Sequence, residues 1–352
     1  GFYKNLHELT LKELMARLAV PTSERQFVLY EALRQGVPVE ELHRRTSIHR
    51  WFLTQMQELV EREEEILAHR GSELPVELLR LAKGEGFADA YLAQLLGVSE
   101  VSIRAQRTRA GIVEGWHAVP VSGVENAAYY YSSYNAPDTV PVSTNPNKVM
   151  ILGGGPNRIG QGIEFDYCCV HAAFALRDLG CETVMVNCNP ETVSTDYDTS
   201  DKLYFEPLTV EDVLQIYEKE QPMGVICQFG GQTPLNIARQ LEEAGVRILG
   251  TSPAVIDMAE DRDLFNAMME KLGIPMAAGG MATDEAGAID IAARIGYPLM
   301  LRPSYVRGGR GMESVYDEAM LHDYMAAAVD VTPDRPILID RYLENAIEAE
   351  AD

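Results

Sequence analysis

The chain has 352 residues, 46% of them hydrophobic, and a formal net charge of −23 at pH 7. That length accommodates two or three domains with full apolar cores, while the acidic balance argues against general nucleic-acid binding and makes any anion site gather its arginines locally. No apolar run approaches the ~18 residues of a membrane helix and no signal peptide precedes the first helix, so a cytoplasmic protein that meets no membrane is expected.

The charge is uneven. Residues 1–120 carry 15 Lys and Arg against 17 Asp and Glu, which leaves 21 of the 23 net negative charges to the remainder. The five cysteines, Cys168, Cys169, Cys181, Cys188 and Cys227, are odd in number and form no Cys-x-x-Cys pair. They read as buried, reduced thiols of an intracellular α/β region. A first residue of glycine suggests a processed product or a piece of a longer chain.

Residues 1–140 read as mainly helical. Apolar residues recur at three- and four-residue spacing over Leu6–Leu18, Ser23–Gln35, Pro38–Thr46, Trp51–His69, Pro75–Lys83, Phe87–Leu96 and Ser99–Ala110. Gly36, Gly71, Gly84, Gly97 and Gly111 punctuate them as helix C-caps. Phe87–Gly111 also has the form of a helix-turn-helix, with Arg104, Arg107 and Arg109 on its second helix, so a DNA reader is a rival reading. Against it, short helices joined at glycine turns are common in packed bundles, where such arginines form a solvated face.

Residues 141–262 read as an open, mainly parallel α/β sheet. Strands are expected at Lys148–Leu152, Thr183–Asn187, Lys202–Phe205, Gly224–Gln228 and Arg247–Leu249, with helices at Asp166–Leu179, Val210–Glu220 and Pro234–Ala244. Thr209 with Asp212 resembles a capping box, and Ser252-Pro253 an N-cap followed by a first-turn proline. Ligands of such sheets bind beyond the strands' carboxyl ends, which gathers Gly153–Glu164, Asn189–Asp198 and Gly230–Thr233 at one edge. The first of these loops fits neither familiar phosphate fingerprint. Gly153 and Gly155 match Gly-x-Gly-x-x-Gly, but the third position is Arg158 and the second strand ends on Asn187 and Asn189 instead of an acid. Gly155 to Gly160 has P-loop spacing, but Gln161-Gly162 replace Lys-[Ser/Thr]. Arg158, Gln161, Asn189, Gln232 and Thr233 could hydrogen-bond a small planar anion, and Glu164 and Glu191 could orient water. The alternative is that these polar groups cap turns and fix loops.

From residue 263 the pattern changes. Helices are expected at Leu264–Leu272 and Asp284–Ile295, and strands at Pro298–Arg302, Glu313–Tyr316 and Ile337–Leu343. Ser304–Gly311 lies between two of those strands, as a glycine hairpin over phosphates would, with Arg302 supplying a fork of donors at the strand end.

The run from Gly153 to Asp201, containing IEFDYCCVHA and NPETVSTDYDTSD, resembles the carbamoyl-phosphate synthetase large subunit, in its second, carbamate-phosphorylating half. So do FGGQTPLNIA (Phe229–Ala238), GTSPAVIDMAEDR (Gly250–Arg262) and RPSYVRGGRGMESVYDEA (Arg302–Ala319). HRWFLTQMQELVEREE (His49–Glu64) and GFADAYLAQLLGVSE (Gly86–Glu100) look like that family's oligomerisation domain. The resemblance covers nearly all of the chain. It implies a multi-domain fold: an all-α oligomerisation domain at 1–140, a Rossmann-like pre-ATP-grasp sheet at 141–262, and the first lobe of an α+β ATP-grasp domain with the start of its second at 263–352.

The activity implied is transfer of the γ-phosphoryl of MgATP (or MnATP) to carbamate, giving carbamoyl phosphate for pyrimidine and arginine biosynthesis. Family nucleotide positions carry over to Arg302, Gly308, Gly309, Arg310, Gly311, Arg341, Leu343 and Glu348, with Arg302 and Arg262 in catalytic roles. Arg158, Gln161, Glu164, Asn189, Glu191, Gln232 and Thr233 would line the carbamate route. The family's metal-holding residues would lie beyond Asp352, so no metal site is expected in this chain and it is expected not to turn over ATP alone. Implied partners are the remainder of the large subunit, a glutaminase small subunit or domain, and further copies in a homo-oligomer. Three positions depart from the family's pattern. The linker Trp116–Tyr134 keeps the tyrosines but lacks a Cys, an Asp and a basic residue, Arg307 replaces an aliphatic side chain, and Arg341 replaces a His of some relatives. Biotin carboxylase and amine–carboxylate ligases share the sheet-then-clamp order without these strings. A non-catalytic assembly module is the rival from another class.

Overall fold

The computed structural model describes residues 3–125, 127–156, 163–303, 312–329, 336–347 and 349. The chain divides into two compact units, residues 1–155 with 166–247 and residues 156–165 with 248–352.

The first unit opens with seven helices: α1 (Leu11–Leu18), α2 (Arg25–Arg34), α3 (Val39–Thr46), α4 (Arg50–Leu67), α5 (Val76–Gly84), α6 (Asp89–Leu96) and α7 (Glu100–Arg109). The continuous helix expected over Leu6–Leu18 is broken. A 3-10 turn at Tyr3–Glu8 precedes α1, because Thr10 and Glu13 form a reciprocal capping box that starts a new helix at Leu11. Gly84 likewise falls inside α5, and the left-handed turn belongs to Gly86, at φ +90°. Burial follows the expected spacing. One apolar cluster collects Leu14, Leu18, Leu29, Leu42 and Leu53, and another Ile66, Leu79, Leu92, Leu95 and Leu96; α4 contributes to both.

Sequence reasoning treats Trp116–Tyr134 as a linker, whereas the structure folds it into an antiparallel pair, β1 (Gly115–Pro120) and β2 (Ala128–Ser133). β2 then adds in parallel to a sheet built from β3 (Lys148–Leu152), β4 (Glu182–Val186), β5 (Lys202–Tyr204) and β6 (Gly224–Ile226). Within this unit the strand order is β1-β2-β5-β4-β3-β6, with every pair after β1–β2 parallel. Buried Trp116 holds the hairpin down, its ring edge-on to Tyr204 at 6.0 Å. Tyr130 lies against Tyr204 and Tyr129 against Phe205, so the hairpin is held by its aromatic residues. Helices α8 (Glu164–Asp178), α9 (Val210–Glu220) and α10 (Gln232–Glu243) complete the α/β layer, α9 starting where the Asp212 amide donates to Thr209 Oγ1 and the Thr209 hydroxyl donates to Asp212 Oδ2, the side-chain half of the expected box.

An ionic cluster fastens the helical block to this layer. Lys83 Nζ donates to Glu211 Oε1 (2.5 Å) and lies 3.0 Å from Asp89 Oδ1, the Asp89 amide donates to Glu211 Oε2 (2.7 Å), and Arg107 Nε donates to Asp89 Oδ2 (3.1 Å). Arg107 is 1% exposed, so the arginine at the centre of the helix-turn-helix reading faces inward and is spoken for, and the solvated-face alternative fails for it too. Removing one member of such a buried group strands its partner, at a cost of about 3–5 kcal/mol.

The second unit holds β7 (Ile248–Leu249), α11 (Pro253–Glu260), α12 (Arg262–Leu272), β8 (Gly279–Ala282), α13 (Glu285–Ile295), β9 (Leu299–Pro303), β10 (Glu313–Val315), α14 (Glu318–Val329) and β11 (Ile337–Arg341). Pro253 takes the first turn of α11 as expected, though the Ser252 side chain makes no capping bond. Four strands form an antiparallel sheet in the order β10-β9-β11-β8. Leu299, Leu301, Ile337 and Ile339 pack with Ala288, Ile291, Leu321 and Met325, so α13 and α14 cover one face. Among the described residues no helix is long and apolar enough to cross a membrane.

Candidate functional site

The parallel order places the ends of β3, β4 and β6 at one edge, as the sequence predicts, and the chain reverses direction across the sheet between β3 and β6. A ligand crevice is the usual feature of such a reversal, and here two backbone segments approach each other closely beside it. A Cβ on Gly230 would sit 2.5 Å from the carbonyl oxygens of both Leu152 and Gly153, and Thr233 Oγ1 donates to Gly154 O at 2.8 Å. The glycines of this loop serve close packing of two chain segments.

The next layer is built around Asn187, 1% exposed at the end of β4. Its Oδ1 accepts from the amides of Gly155 (3.0 Å) and Cys188 (2.9 Å), and its Nδ2 donates to Ser194 Oγ (2.9 Å). A Cβ on Gly153 would lie 2.5 Å from Asn187 Cγ. Where a dinucleotide site would present an acid to a ribose, this amide instead clamps the glycine turn. Asn189, 4% exposed, fixes the following loop: its carbonyl accepts from Thr195 Oγ1 (2.8 Å) and Thr192 Oγ1 (3.3 Å), and its Oδ1 from the Glu191 amide (3.0 Å).

Of the residues expected to line an anion route, Asn189 therefore binds its own loop, Thr233 reaches across to the loop after β3, and Gln232 donates to Asn236 Oδ1 at 3.1 Å. Glu191 and Glu164 are exposed, the latter at the first position of α8. Arg158 and Gln161 lie outside the described residues. Sequence reasoning passed over Asp166 within IEFDYCC. It is 7% exposed, its Oδ2 accepts from the Ser194 amide at 3.1 Å, and its Oδ1 is buried without a hydrogen-bond partner. The signal was a single carboxylate on an otherwise apolar helix face. The cysteines divide: Cys169 and Cys227 are buried, with burial pushing both thiols up to about 12, but Cys168 is exposed, which corrects the expectation that all five are buried.

In the second unit Arg302 lies on β9 opposite Leu338 of β11 and is exposed. Alternation along β9 places Leu299 and Leu301 on the helix-covered face and Arg302 on the other. Ser304–Gly311, which contains Gly308, Gly309, Arg310 and Gly311, lies outside the described residues, but it joins β9 to β10, and these are antiparallel neighbours. Arg341 pairs with Leu299 and so takes the opposite face from Arg302; its Nη1 donates to Ile295 O at the end of α13 (3.1 Å). The two arginines do not converge. Leu343 is 62% exposed, Arg262 occupies the first position of α12, and Glu348 lies outside the described residues. Among the described residues no three His, Cys, Asp or Glu side chains stand together as a metal site would require.

Three family models match in succession. Residues 1–111 match the carbamoyl-phosphate synthetase large chain oligomerisation domain, 145–258 the carbamoyl phosphate synthase preATP-grasp domain, and 261–352 the carbamoyl-phosphate synthase L chain ATP binding domain. The chain belongs to the carbamoyl phosphate synthase large-chain family. It is 52% identical to the carbamoyl phosphate synthase large chain of Archaeoglobus fulgidus over 98% of its own length and 33% of that protein's. Against the large chains of Myxococcus xanthus and Halomonas eurihalina the identities are 53% and 54%, over 97% of this chain and 32% of each relative. It thus spans about a third of the length of these synthase chains. Among solved structures, the biotin carboxylase domain of Hydrogenobacter thermophilus 2-oxoglutarate carboxylase aligns at 24% identity and a TM-score of 0.43, over 56% of this chain and 45% of that one, too loose a likeness to rest anything on.

Proposed function

We propose that this chain is the part of a carbamoyl phosphate synthase large chain that links its assembly block to ATP-dependent phosphorylation of carbamate. The observation that carries this reading is the succession of the three family matches along one chain. The chain folds in the same succession, from a helical block through a parallel sheet to an antiparallel sheet. The product would serve pyrimidine and arginine biosynthesis, and a glutaminase subunit, the rest of the large chain and further copies would be its partners.

Bound MgATP would supply the γ-phosphoryl group. Arg302 fits the phosphates, because its guanidinium stands exposed on the face that α13 and α14 leave open, at the strand end that leads into the 304–311 loop. Backbone amides at Gly308–Gly311 and the fork of Arg302 would neutralise charge on the equatorial oxygens, with Arg262 assisting. Leu343 and Glu348 would hold base and ribose. Arg341 acts from the other face, by holding the end of α13 through Ile295 O. Of the carbamate route, Glu164 and Glu191 remain the exposed carboxylates, joined by Arg158 and Gln161, while Asn189, Gln232 and Thr233 set the shape of the wall. Magnesium would enter with the nucleotide. The metal ligands, and with them turnover, are assigned to the whole large chain.

The test uses the large chain that contains this segment, supplied with carbamoyl phosphate and MgADP. ATP formation is expected, and R302A should reduce it about 100- to 1,000-fold, as loss of one donor to developing charge does. A folded R302A enzyme with unchanged ATP formation refutes the phosphate clamp; a folded parent that binds ADP but makes no ATP refutes carbamate as the acceptor.

A further inference from the structure

Helix α8 lays one stripe on the sheet. Asp166, Cys169, Val170 and Ala173 are its buried residues, at three- and four-residue spacing. Cys169 and Ala173 pack with Ile151 of β3 and Met185 of β4, and Asp166 is the stripe's carboxylate. Its Oδ1 is buried and has no hydrogen-bond partner among the described residues, which is a net cost that an apolar side chain would avoid. Asp166 is therefore not there for packing. The bond it does make is to a loop: Oδ2 accepts from the Ser194 amide at 3.1 Å.

Ser194 is where that loop is tied down. Its amide is held by Asp166 of α8, and its hydroxyl accepts from Asn187 Nδ2, just past β4 (2.9 Å). Further bonds lie within the loop. Thr195 Oγ1 donates to Asn189 O (2.8 Å) and Thr192 O (2.7 Å), the Glu191 amide donates to Asn189 Oδ1 (3.0 Å), and Thr199 Oγ1 donates to Val193 O (2.7 Å). Residues 189–199 are thus braced as one unit, and the unit carries Glu191, which is exposed. Where Glu191 stands is set by the ties at Ser194, one from a helix and one from a strand end. Without Asp166 a buried amide is stranded and the helix no longer fixes the loop. We propose that Asp166 is a positioning residue: by holding the Ser194 amide it fixes the loop that presents Glu191 to the carbamate route. The inference rests on the reading of Glu191 as part of that route, and Asp166 acts through Glu191.

Steady-state kinetics of the large chain that contains this segment, with MgATP and with carbamate supplied as its ammonium salt, tests this through a double-mutant cycle. E191A is expected to raise KM for carbamate about tenfold or more, and D166A to do the same, with KM for MgATP unchanged in both. D166A added to E191A should raise the carbamate KM no further, because a misplaced Glu191 and an absent one are alike. D166N keeps an oxygen for the Ser194 amide and should return KM to within about threefold of wild type. A general structural defect would instead move both KM values together and act equally in either background. An unchanged carbamate KM in folded D166A, additive effects in the double variant, equal rises in the two KM values, or no recovery in D166N overturns the positioning role. An unchanged carbamate KM in E191A overturns the reading of Glu191, and the inference falls with it. If D166A does not fold, D166L, apolar like the rest of its stripe, is judged by the same criteria.

Discussion

Replacing Asn187 by Ala should unlock the glycine turn at the end of β3. The substitution removes the acceptor of two amides and the donor to Ser194 Oγ. The Gly155 amide is buried and would be stranded, at about 1–3 kcal/mol, while the half-buried Cys188 amide and the rotatable Ser194 hydroxyl can repair part of their loss, at roughly 0.5 kcal/mol each. The total is about 2–4 kcal/mol. Trp51 and Trp116 are the chain's two tryptophans, both in the first unit, and Trp116 is 3% exposed. Tryptophan emission in urea therefore reports this unit, and a slope of about 2 kcal/mol per molar, the middle of the usual range, converts the loss into a midpoint lowered by about 1–2 M. A second substitution sharpens the test. Gly153→Ala alone puts a Cβ 2.5 Å from Asn187 Cγ and 2.6 Å from its Nδ2, so part of its cost should vanish in the Asn187→Ala background, giving non-additivity of 0.5 kcal/mol or more. A cost for Asn187→Ala below 1 kcal/mol, or strict additivity of the pair, would refute the clamp.

Gly230→Ala should cost about 3 kcal/mol, the upper end for overpacking, because the atoms met at 2.5 Å are backbone carbonyls that cannot swing aside; calorimetric melting measures it. For Glu63, burial works to raise the carboxyl, but hydrogen bonds from Tyr91 and Tyr30 and the charge of Arg34 outweigh it, and the net shift is downward. Its contribution is therefore present at neutral pH and lost as pH falls from the usual carboxylate range through the lower folded value, so E63Q should be less stable than wild type at pH 7, with the gap closing below pH 4 in urea titrations. Glu206 has the opposite sign: burial pushes it up to about 7, its neutral form suits the native state, and stability falls as pH rises through that range. E206Q, which keeps an acceptor for the Ser132 amide, should exceed wild type at pH 8 by at most about 3 kcal/mol, and equal melting temperatures there would contradict the assignment.

Legibility followed the length scale of the signal. Helices α2 to α7 and strands β3 to β6 could be placed within a residue or two because burial on one face imposes a period that the sequence carries directly. The hairpin β1–β2 was missed, since AYYYSS has no apolar alternation and is held by aromatic edges and by pairing with β5, contacts distant in sequence. Strand β8 escaped for a related reason. In GGMA the glycines are fixed by their partner strand, a Cβ on Gly279 lying 2.8 Å from Ile339 O, and not by any strand propensity. At the sheet edge the sequence offered Asn189 and Thr233 among its candidate ligand groups. It could not say whether Asn189 or Thr233 turned toward a ligand or toward protein backbone, because an amide or hydroxyl serves both and only partner distances distinguish them.

The same distinction separates where this chain is rigid from where charge is free to act. At the ends of β3, β4 and β6 the carbonyls, amides and hydroxyls are consumed by Asn187, Asn189, Thr192, Thr195 and Thr233, all uncharged. These uncharged contacts hold their shape at any pH at which the backbone folds, with the Asp166 carboxylate beside them accepting from the Ser194 amide. The opposite holds for Arg302, an exposed cation on the sheet face away from α13 and α14. Beyond residue 120 the net charge of −21 repels any phosphate at long range, but at physiological ionic strength that field is screened within about 8 Å. An anion is then governed by the few donors it can touch. Recognition in so acidic a chain must therefore be local, so the phosphate site proposed at Arg302 would rest on the few donors its ligand touches while the bulk of the acidic side chains serve the surface.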